Sequence, residues 1–96
     1  MTPTHRTPTS PGEILHEEFL RPLGITQTAL AKHIGVPVRR INEIVRGRRA
    51  VTSETAQLLA AALGTSPEFW MNAQSSYDLA THRIDVRVKP LVKVGS

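Results

Sequence analysis

Apolar residues recur at helical spacing along most of this chain, which places them on one side of each predicted α-helix. Caps of serine or threonine and stops of glycine divide the pattern into five predicted helices. The start and stop signals, in chain order, are Pro11 and Gly24, Thr26 and Gly35, Pro37 and Gly47, Thr52 or Ser53 and Gly64, and Ser66 with Pro67 for the start of the last helix. The sequence therefore predicts an all-α domain with short connections between its helices.

The second and third helices have the pattern of two helices that cross through a tight turn. Ala31 must be small so that the third helix can approach the second closely, and Gly35 supplies the turn. Ile41 and Ile44 are expected to anchor the third helix to the core. The residues expected on the buried side of the second helix are Ala29, Leu30, His33 and Ile34.

After His82 the pattern changes to the alternation of a β-strand, because Ile84, Val86 and Val88 alternate with charged side chains. No earlier segment resembles a strand, so the backbone groups of this one need a partner outside the chain. The simplest partner is the same strand in a second copy, and the alternative is a disordered basic tail. Phe69, Trp70 and Tyr77 of the fifth helix are expected to anchor either the core or a dimer. The expected dimer contacts are Trp70, Tyr77, Ile84, Val86 and Val88.

The chain therefore divides into an arm, a helical domain and a tail. Residues 1–10 are rich in threonine and proline and hold no large apolar side chain beyond Met1, so we expect a flexible arm. Residues 11–82 form the helical domain, and residues 83–96 form the strand or tail. The arm lacks the apolar segment of a secretory signal, and no apolar run is long enough to cross a bilayer. We expect a cytoplasmic protein.

Residues 36–49, VPVRRINEIVRGRR, carry the whole net charge of the chain. They hold five arginines and one acid, which gives +4, whereas the other 82 residues hold seven basic and seven acidic residues. A charged run is often only a solvated face. Here it follows the predicted helix and turn TQTALAKHIG, and the combination indicates a helix-turn-helix unit whose second helix enters the DNA major groove.

Sites for catalysis or metal binding are not indicated. His16 and the acids beside it superficially resemble a metal-binding helix, but the HExxH spacing is absent. The chain has no cysteine, which excludes disulfides and thiolate zinc sites, and it has no glycine-rich phosphate loop. Ser75 and Ser76 have no basic partner at a useful spacing. We therefore expect neither enzymatic activity nor a cofactor.

The chain resembles the HigA-type antitoxins, a branch of the Xre/lambda-repressor-like helix-turn-helix proteins. The likeness is carried by PGEILHEEFLRPLGITQTALAKHIGV (residues 11–36), by RINEIVRGRRAVTSETAQLLAAALGTSPEFWMNAQ (residues 40–74) and by YDL (residues 77–79). The PGE…FL opening and GTSPEFW are more specific to this branch than the helix-turn-helix itself. The tail after His82 departs from the commoner members. The resemblance implies a lambda-repressor-like fold and a dimer that binds double-stranded operator DNA.

The resemblance also implies which side chains contact bases. In this fold the bases are contacted from the start of the third helix and from one turn further on, which correspond here to Val38, Arg39 and Glu43. Arg39 suits guanine O6 and N7, Glu43 suits cytosine N4, and Val38 suits a thymine methyl group. If Val38 faces the core instead, the base-contacting set becomes Arg39, Arg40 and Glu43. Arg40 can also serve as a phosphate contact.

Phosphate contacts are expected before and after the third helix in the sequence. The resemblance implies that polar residues opening the second helix bind phosphate, where the helix N-terminus adds a favourable dipole. The arginines at the end of the third helix and in the following loop suit phosphate because a guanidinium forms forked hydrogen bonds with it. The expected phosphate contacts are Gln27, Thr28, Arg46, Arg48 and Arg49.

By resemblance, the protein is an antitoxin that binds a RelE-like, mRNA-cleaving toxin of the HigB type and represses their shared operon. The alternatives are a stand-alone regulator without a toxin, and a protein-interaction module whose arginines contact an acidic partner. A ribonuclease is expected to be basic, so we expect the toxin to contact Glu13, His16 and Glu17 on the first helix, together with the arm. The alternative for these acids is that they only solvate the helix.

Overall fold

The computed structural model describes residues 8–92, and it confirms the predicted all-α fold. Within those residues there are five helices, of which the first, α1, covers residues 11–23. The others are α2 (Gln27–Ile34), α3 (Val38–Val45), α4 (Ser53–Leu63) and α5 (Pro67–Thr81). The predicted arm lies mostly outside the described residues.

Local capping explains where most of these helices begin and end. The side-chain oxygens of Ser10, Thr26 and Ser66 each accept a hydrogen bond from a backbone N–H three residues further on, which satisfies a donor that the first helical turn leaves free. Gly24 and Gly35 close α1 and α2 at φ of 66° and 78°, where a residue with a Cβ would be strained. These five predicted caps and stops are therefore the ones that the helices use.

The middle of α1 departs from regular α-helical geometry. Its segment Leu15–Leu20 is π-helical, between α-helical turns at Pro11–Ile14 and Arg21–Leu23. The backbone N–H of Arg21 accordingly reaches back five residues to the carbonyl of His16. Pro22, which has no N–H to donate, is the second residue after the widened turn. The widened turn includes two of the residues that were predicted to contact the toxin, His16 and Glu17.

The helix-turn-helix pair packs as predicted through Ala31 and the two isoleucines of α3. Ala31 is 2% exposed, and Ile41 and Ile44 are 0% and 1% exposed. The predicted buried side of α2 is partly wrong, because Ala29 and His33 are exposed while Leu30 is buried. The buried residues of α2 are Leu30 and Ala31, so its buried stripe is narrower than the apolar spacing suggested.

The core gathers around Trp70, which is 0% exposed. Its indole Nε1 donates to Oγ1 of Thr65 over 2.7 Å, so its one polar atom is satisfied inside the chain. Phe19 and Phe69 pack against it with ring centroids 5.5 Å and 5.0 Å away. Of the two roles expected for Trp70, the core role is therefore confirmed. The dimer contact is wrong, because the surface of Trp70 is already enclosed by its own chain. Phe69, at 41% exposed, is the aromatic residue that reaches solvent here.

Gly12 brings the backbones of α1 and α3 into direct contact. A Cβ added at this position would overlap the carbonyl oxygen of Ile44 at the C-terminal end of α3. Only glycine fits there, because the obstacle is backbone and cannot rotate away. The glycine of the PGE opening thus fixes the position of α3 against α1.

The segment after α5 forms no strand within the described residues. Residues 83–90 have no regular structure, and Ile84, Val86 and Val88 are 79%, 67% and 84% exposed. The strand expected here required a second copy as its partner, so its pairing across a dimer stays a prediction. Among residues 8–92, no helix combines the length and the apolar character needed to cross a membrane.

Candidate nucleic-acid interface

The outer face of α3 carries the side chains that were predicted to contact bases. Ile41 and Ile44 face the core, so residues about half a helical turn away face outward. Val38 is 46% exposed, which places it on the surface and removes the alternative in which it belongs to the core. Arg39 is exposed, while Arg40 and Glu43 are half-buried. The four predicted base-contacting residues therefore reach the surface of one short helix.

Two of those side chains are engaged with neighbours in the chain. The Nε of Arg49 donates to Oε1 of Glu43 over 2.8 Å, and the pair is only partly exposed. Nη1 of Arg40 lies 3.7 Å from Oε1 of Glu54 in the first turn of α4. Glu43 is thus already paired with a loop arginine, and Arg40 is drawn towards α4. Arg39 has the most open position of the three charged side chains on this face.

The start of α2 contributes polar groups beside this face. Gln27 is its first residue, half-buried, and Thr28 follows it and is exposed. The Nδ2 of Asn42, on α3, donates to Oε1 of Gln27 over 3.2 Å. The hydrogen bond joins the two helices of the unit by their side chains. Sequence reasoning missed Asn42, although its spacing of three residues from Arg39 was a usable signal.

The remaining arginines lie where α3 passes into the loop before α4. Arg46 caps α3, with its backbone N–H bonded to the carbonyl of Asn42, and Gly47 turns the chain at φ 75°. Arg46, Arg48 and Arg49 are all exposed. The predicted phosphate-contacting arginines thus follow one another around the end of the helix, on a turn that glycine allows.

A buried glutamine of α5 holds the far end of this loop. Oε1 of Gln74 accepts from the backbone N–H of Val51 over 2.7 Å, and its Nε2 donates to Oδ1 of Asp78 over 2.8 Å. Gln74 is 9% exposed, and its bond to Val51 is buried, whereas its bond to Asp78 is partly buried. Sequence reasoning missed this residue, because a glutamine within an otherwise regular helix has no distinguishing local pattern.

The residues expected to contact the toxin lie outside the helix-turn-helix pair, on α1. Glu13 and Glu17 are exposed and His16 is half-buried. Oε1 of Glu17 accepts from Arg21 over 3.0 Å, so part of its charge is already compensated. These side chains therefore belong to a different element from the arginines of α3, and a role in toxin binding stays a prediction.

The chemistry of the α3 face is that of anion recognition. Guanidinium groups supply fixed forks of N–H donors, and the one acid of segment 36–49 is paired with Arg49. Residues 8–92 contain no cluster of three or more His, Asp or Glu side chains that could hold a metal ion. Such a face suits a polyanion with regularly spaced phosphates better than a small ligand.

Comparison with known proteins agrees with this geometry. Residues 17–70 match the family model described as helix-turn-helix, which is more than half of the chain. Virulence-associated protein I of Dichelobacter nodosus is 49% identical over 69 residues, covering 72% of this chain but only 64% of that protein. Antitoxin HigA-1 of Vibrio cholerae serotype O1 is 47% identical over 79 residues, covering 82% of this chain and 74% of that protein.

A solved structure supports the same relationship. The structure of the Pseudomonas aeruginosa antitoxin HigA with the higBA promoter superposes with a TM-score of 0.75 at 44% identity, covering 77% of this chain and 80% of that one. The likeness therefore extends through the helical domain in both sequence and fold. The chain belongs to the helix-turn-helix family, in its HigA-type branch.

Proposed function

We propose that the protein is the antitoxin of a type II toxin–antitoxin module, which represses its own operon by binding promoter DNA and neutralises a RelE-like toxin. The observation that carries the DNA-binding part is the exposed, arginine-bearing face of α3, backed by α2 and continued into the loop at residues 46–49. The Pseudomonas relative, whose structure contains promoter DNA, supports this assignment.

In this proposal α3 lies in the major groove, and residues of α2 and of the loop after α3 contact the phosphate backbone of the DNA. Arg39 contacts a guanine edge, because its open position leaves both forked donors available. Val38 contacts a thymine methyl group, and Glu43 shares its carboxylate between cytosine N4 and Arg49. Arg40 contacts either a base or a phosphate. The phosphate contacts are Gln27, Thr28, Arg46, Arg48 and Arg49.

A dimer is part of the proposal, since one helix-turn-helix contacts only a few base pairs. Two copies would place their α3 helices on half-sites about 34 Å apart or a multiple of that distance. The outer side of α5 suits the contact, because Met71 and Leu79 are 38% and 71% exposed and residues 69–77 carry no charge. Exposed apolar side chains of this kind could be covered by a second copy in a two-fold contact. Tyr77 and the segment Ile84, Val86 and Val88 complete the proposed contact.

The toxin is proposed to bind α1 and the arm that precedes it. A protein that is bound to DNA through α2 and α3 must use another surface for a second partner. Glu13 and Glu17 offer negative charge there, and His16 lies between them on the same helix. A basic ribonuclease would associate with this surface faster at low salt than at high salt. The pair between Glu17 and Arg21 limits how much of this charge is free.

The DNA-binding part is tested with the promoter fragment upstream of the gene. We expect footprinting to give two protected half-sites, and affinity to fall steeply between low and physiological salt while preference over an unrelated duplex persists. Binding without any sequence preference would favour the interaction module over the repressor.

The antitoxin part is tested by co-expression with any small reading frame that lies next to the gene. Growth arrest caused by that frame alone, relieved by this protein, and co-purification of the two are the expected results. A neighbour that is harmless would favour a stand-alone regulator. In the same assay, the Glu13→Lys/Glu17→Lys variant should rescue poorly and associate more slowly. Full rescue with unchanged association kinetics would place the toxin surface elsewhere.

A further inference from the structure

The side chains of Gln27 and Asn42 meet across the helix-turn-helix unit. Asn42 donates from Nδ2 to Oε1 of Gln27 over 3.2 Å, and both residues are half-buried. Gln27 opens α2, and Asn42 lies past the middle of α3, so the bond joins the two helices on which DNA binding depends. Asn42 itself belongs to neither of the two sets of proposed DNA contacts.

This bond decides which end of the Gln27 amide is free. A glutamine amide has an acceptor oxygen and an NH₂ donor that point apart from each other. With Oε1 engaged by Asn42, the donor Nε2 remains for an acceptor outside the pair. A phosphate oxygen only accepts hydrogen bonds, so the donor end is the one end of the amide that can bind it. The reversed amide would present oxygen to oxygen.

We propose that Asn42 is a positioning residue for phosphate binding, which holds the Gln27 amide with its donor towards the DNA backbone. The proposal rests on the DNA-binding function argued above. Asn42 lies three residues after Arg39, so it is a neighbour of the base-contacting side chains on the surface of α3. From there it fixes the rotamer of Gln27 in the free protein. DNA binding then does not have to bear the entropic cost of ordering that side chain.

The first test is a double-mutant cycle on the promoter half-site. Gln27→Ala should weaken binding by about ten-fold, because a hydrogen bond to a charged acceptor is removed. Asn42→Ala should weaken it by roughly three-fold, since Gln27 remains but has no fixed orientation. The double variant should bind like Gln27→Ala alone. Additive effects in the double variant would overturn the proposal.

Asn42→Asp provides a sharper test, because its carboxylate cannot donate to Oε1 and would instead accept from Nε2. The amide of Gln27 would then turn its oxygen towards the phosphate, so this variant should bind more weakly than Asn42→Ala. The added negative charge also weakens DNA binding by itself. The control is Asn42→Asp in the Gln27→Ala background, where only the charge acts. An equal decrease in affinity in both backgrounds would contradict the proposal.

Phosphate dependence distinguishes positioning from a merely structural role. A duplex in which methylphosphonate replaces one phosphate at a time should show a position where the wild type binds more weakly, where Asn42→Ala shows a smaller decrease, and where Gln27→Ala changes little. Equal decreases in the wild type and in Gln27→Ala at every position would overturn the assignment. If the wild type itself shows no promoter preference, the DNA-binding proposal fails instead. Circular dichroism of each variant excludes unfolding as the cause of weaker binding.

Discussion

The loop residue Arg49 donates from Nε to Oε1 of Glu43 on α3 over 2.8 Å, which pairs the one acid of segment 36–49 with an arginine of the same segment. The carboxylate side chain is 31% exposed in this pair. An unpaired carboxylate on a DNA-binding face would repel phosphate at every DNA site, whatever its sequence. Pairing with Arg49 reduces that repulsion while leaving the second carboxylate oxygen for a base.

Replacing Glu43 with glutamine should therefore raise affinity for unrelated DNA more than for the promoter. One negative charge is removed from the face, whereas the acceptor for cytosine N4 becomes weaker. Titration of both duplexes over a salt series gives the ratio of the affinity for the promoter to the affinity for unrelated DNA. This ratio should fall. Arg49→Gln is the matched control: it should weaken both duplexes and reduce the salt slope by about 0.9 for each phosphate that the side chain no longer neutralises. A preserved ratio in Glu43→Gln would show that Glu43 contacts no base.

Arg39 and Arg48 should respond differently to alanine substitution, because one is proposed to contact a base and the other a phosphate. Arg39→Ala should cost about 1–3 kcal/mol on the promoter and relax preference at one base step. Arg48→Ala should weaken all duplexes to a similar degree and lower the salt slope by about one. A set of promoter duplexes with single base changes measures both effects. Wild-type binding by both variants would mean that α3 is not the recognition helix.

Gly12→Ala should destabilise the fold, since the new methyl group would overlap the carbonyl oxygen of Ile44. Overpacking against backbone cannot be relieved by a rotamer change, and we expect a decrease of about 3 kcal/mol or more in the free energy of unfolding. Gly64→Ala is the control, because Gly64 has a φ of 72° but no atom within 4 Å of the added Cβ. Only backbone strain acts there, at about 1–2 kcal/mol. Urea titration measures the free energy of unfolding of both variants. A smaller decrease in Gly12→Ala than in Gly64→Ala would contradict the packing argument.

Gln74→Met should loosen the loop that carries Arg48 and Arg49. The substitution keeps the volume but leaves the N–H of Val51 without its acceptor, at a cost of about 1–3 kcal/mol. Hydrogen exchange at Val51 should accelerate more than exchange in the middle of α4. Asp78→Asn is the milder control, because it keeps an acceptor for the amide of Gln74. Unchanged exchange at Val51 in Gln74→Met would show that the loop is held by other interactions.

Leu79→Glu and Trp70→Ala should separate assembly from folding. Leu79 is 71% exposed, so the glutamate should leave the monomer folded while placing like charges across the proposed two-fold contact. Trp70→Ala should unfold the chain, with a decrease of about 3–5 kcal/mol in the free energy of unfolding. Sedimentation and thermal melting distinguish the two outcomes. Truncation after Thr81 tests the tail in the same way: a truncated chain that remains dimeric at low micromolar concentration would remove the strand from the contact.

Helix positions could be predicted from this sequence because their signals are local. Ser10, Thr26 and Ser66 cap the helices that follow them, and each bond spans three residues. The inward face of α2 was predicted less well, because apolar spacing cannot distinguish a wide stripe from a narrow one. His33 lies outside and Ala31 inside, a choice made by the fit against the neighbouring helices.

The candidate site was predictable only in its charged part. The arginines are recognisable from the distribution of charge along the sequence. The structure places Arg39 and Arg40 in the first turn of α3 and Arg46, Arg48 and Arg49 around its end. The pairs Gln27–Asn42 and Val51–Gln74 span 15 and 23 residues of sequence, so they exist only once the helices have packed. Trp70 was misassigned for a related reason. Aromatic residues anchor cores and interfaces alike, and exposure decides between them only in the folded chain.

The backbone contact between Gly12 and Ile44 has a consequence for how DNA must behave in a complex. At this one point α3 rests on the main chain of α1 and not on a rotatable side chain, which restricts its tilting and sliding against α1. In the proposed dimer each α3 would therefore keep a nearly fixed orientation within its own domain, and the duplex would supply much of the adjustment. Promoter sequences should therefore differ in affinity through the stiffness and groove width of base pairs that the protein never touches, most of all in the spacer between half-sites.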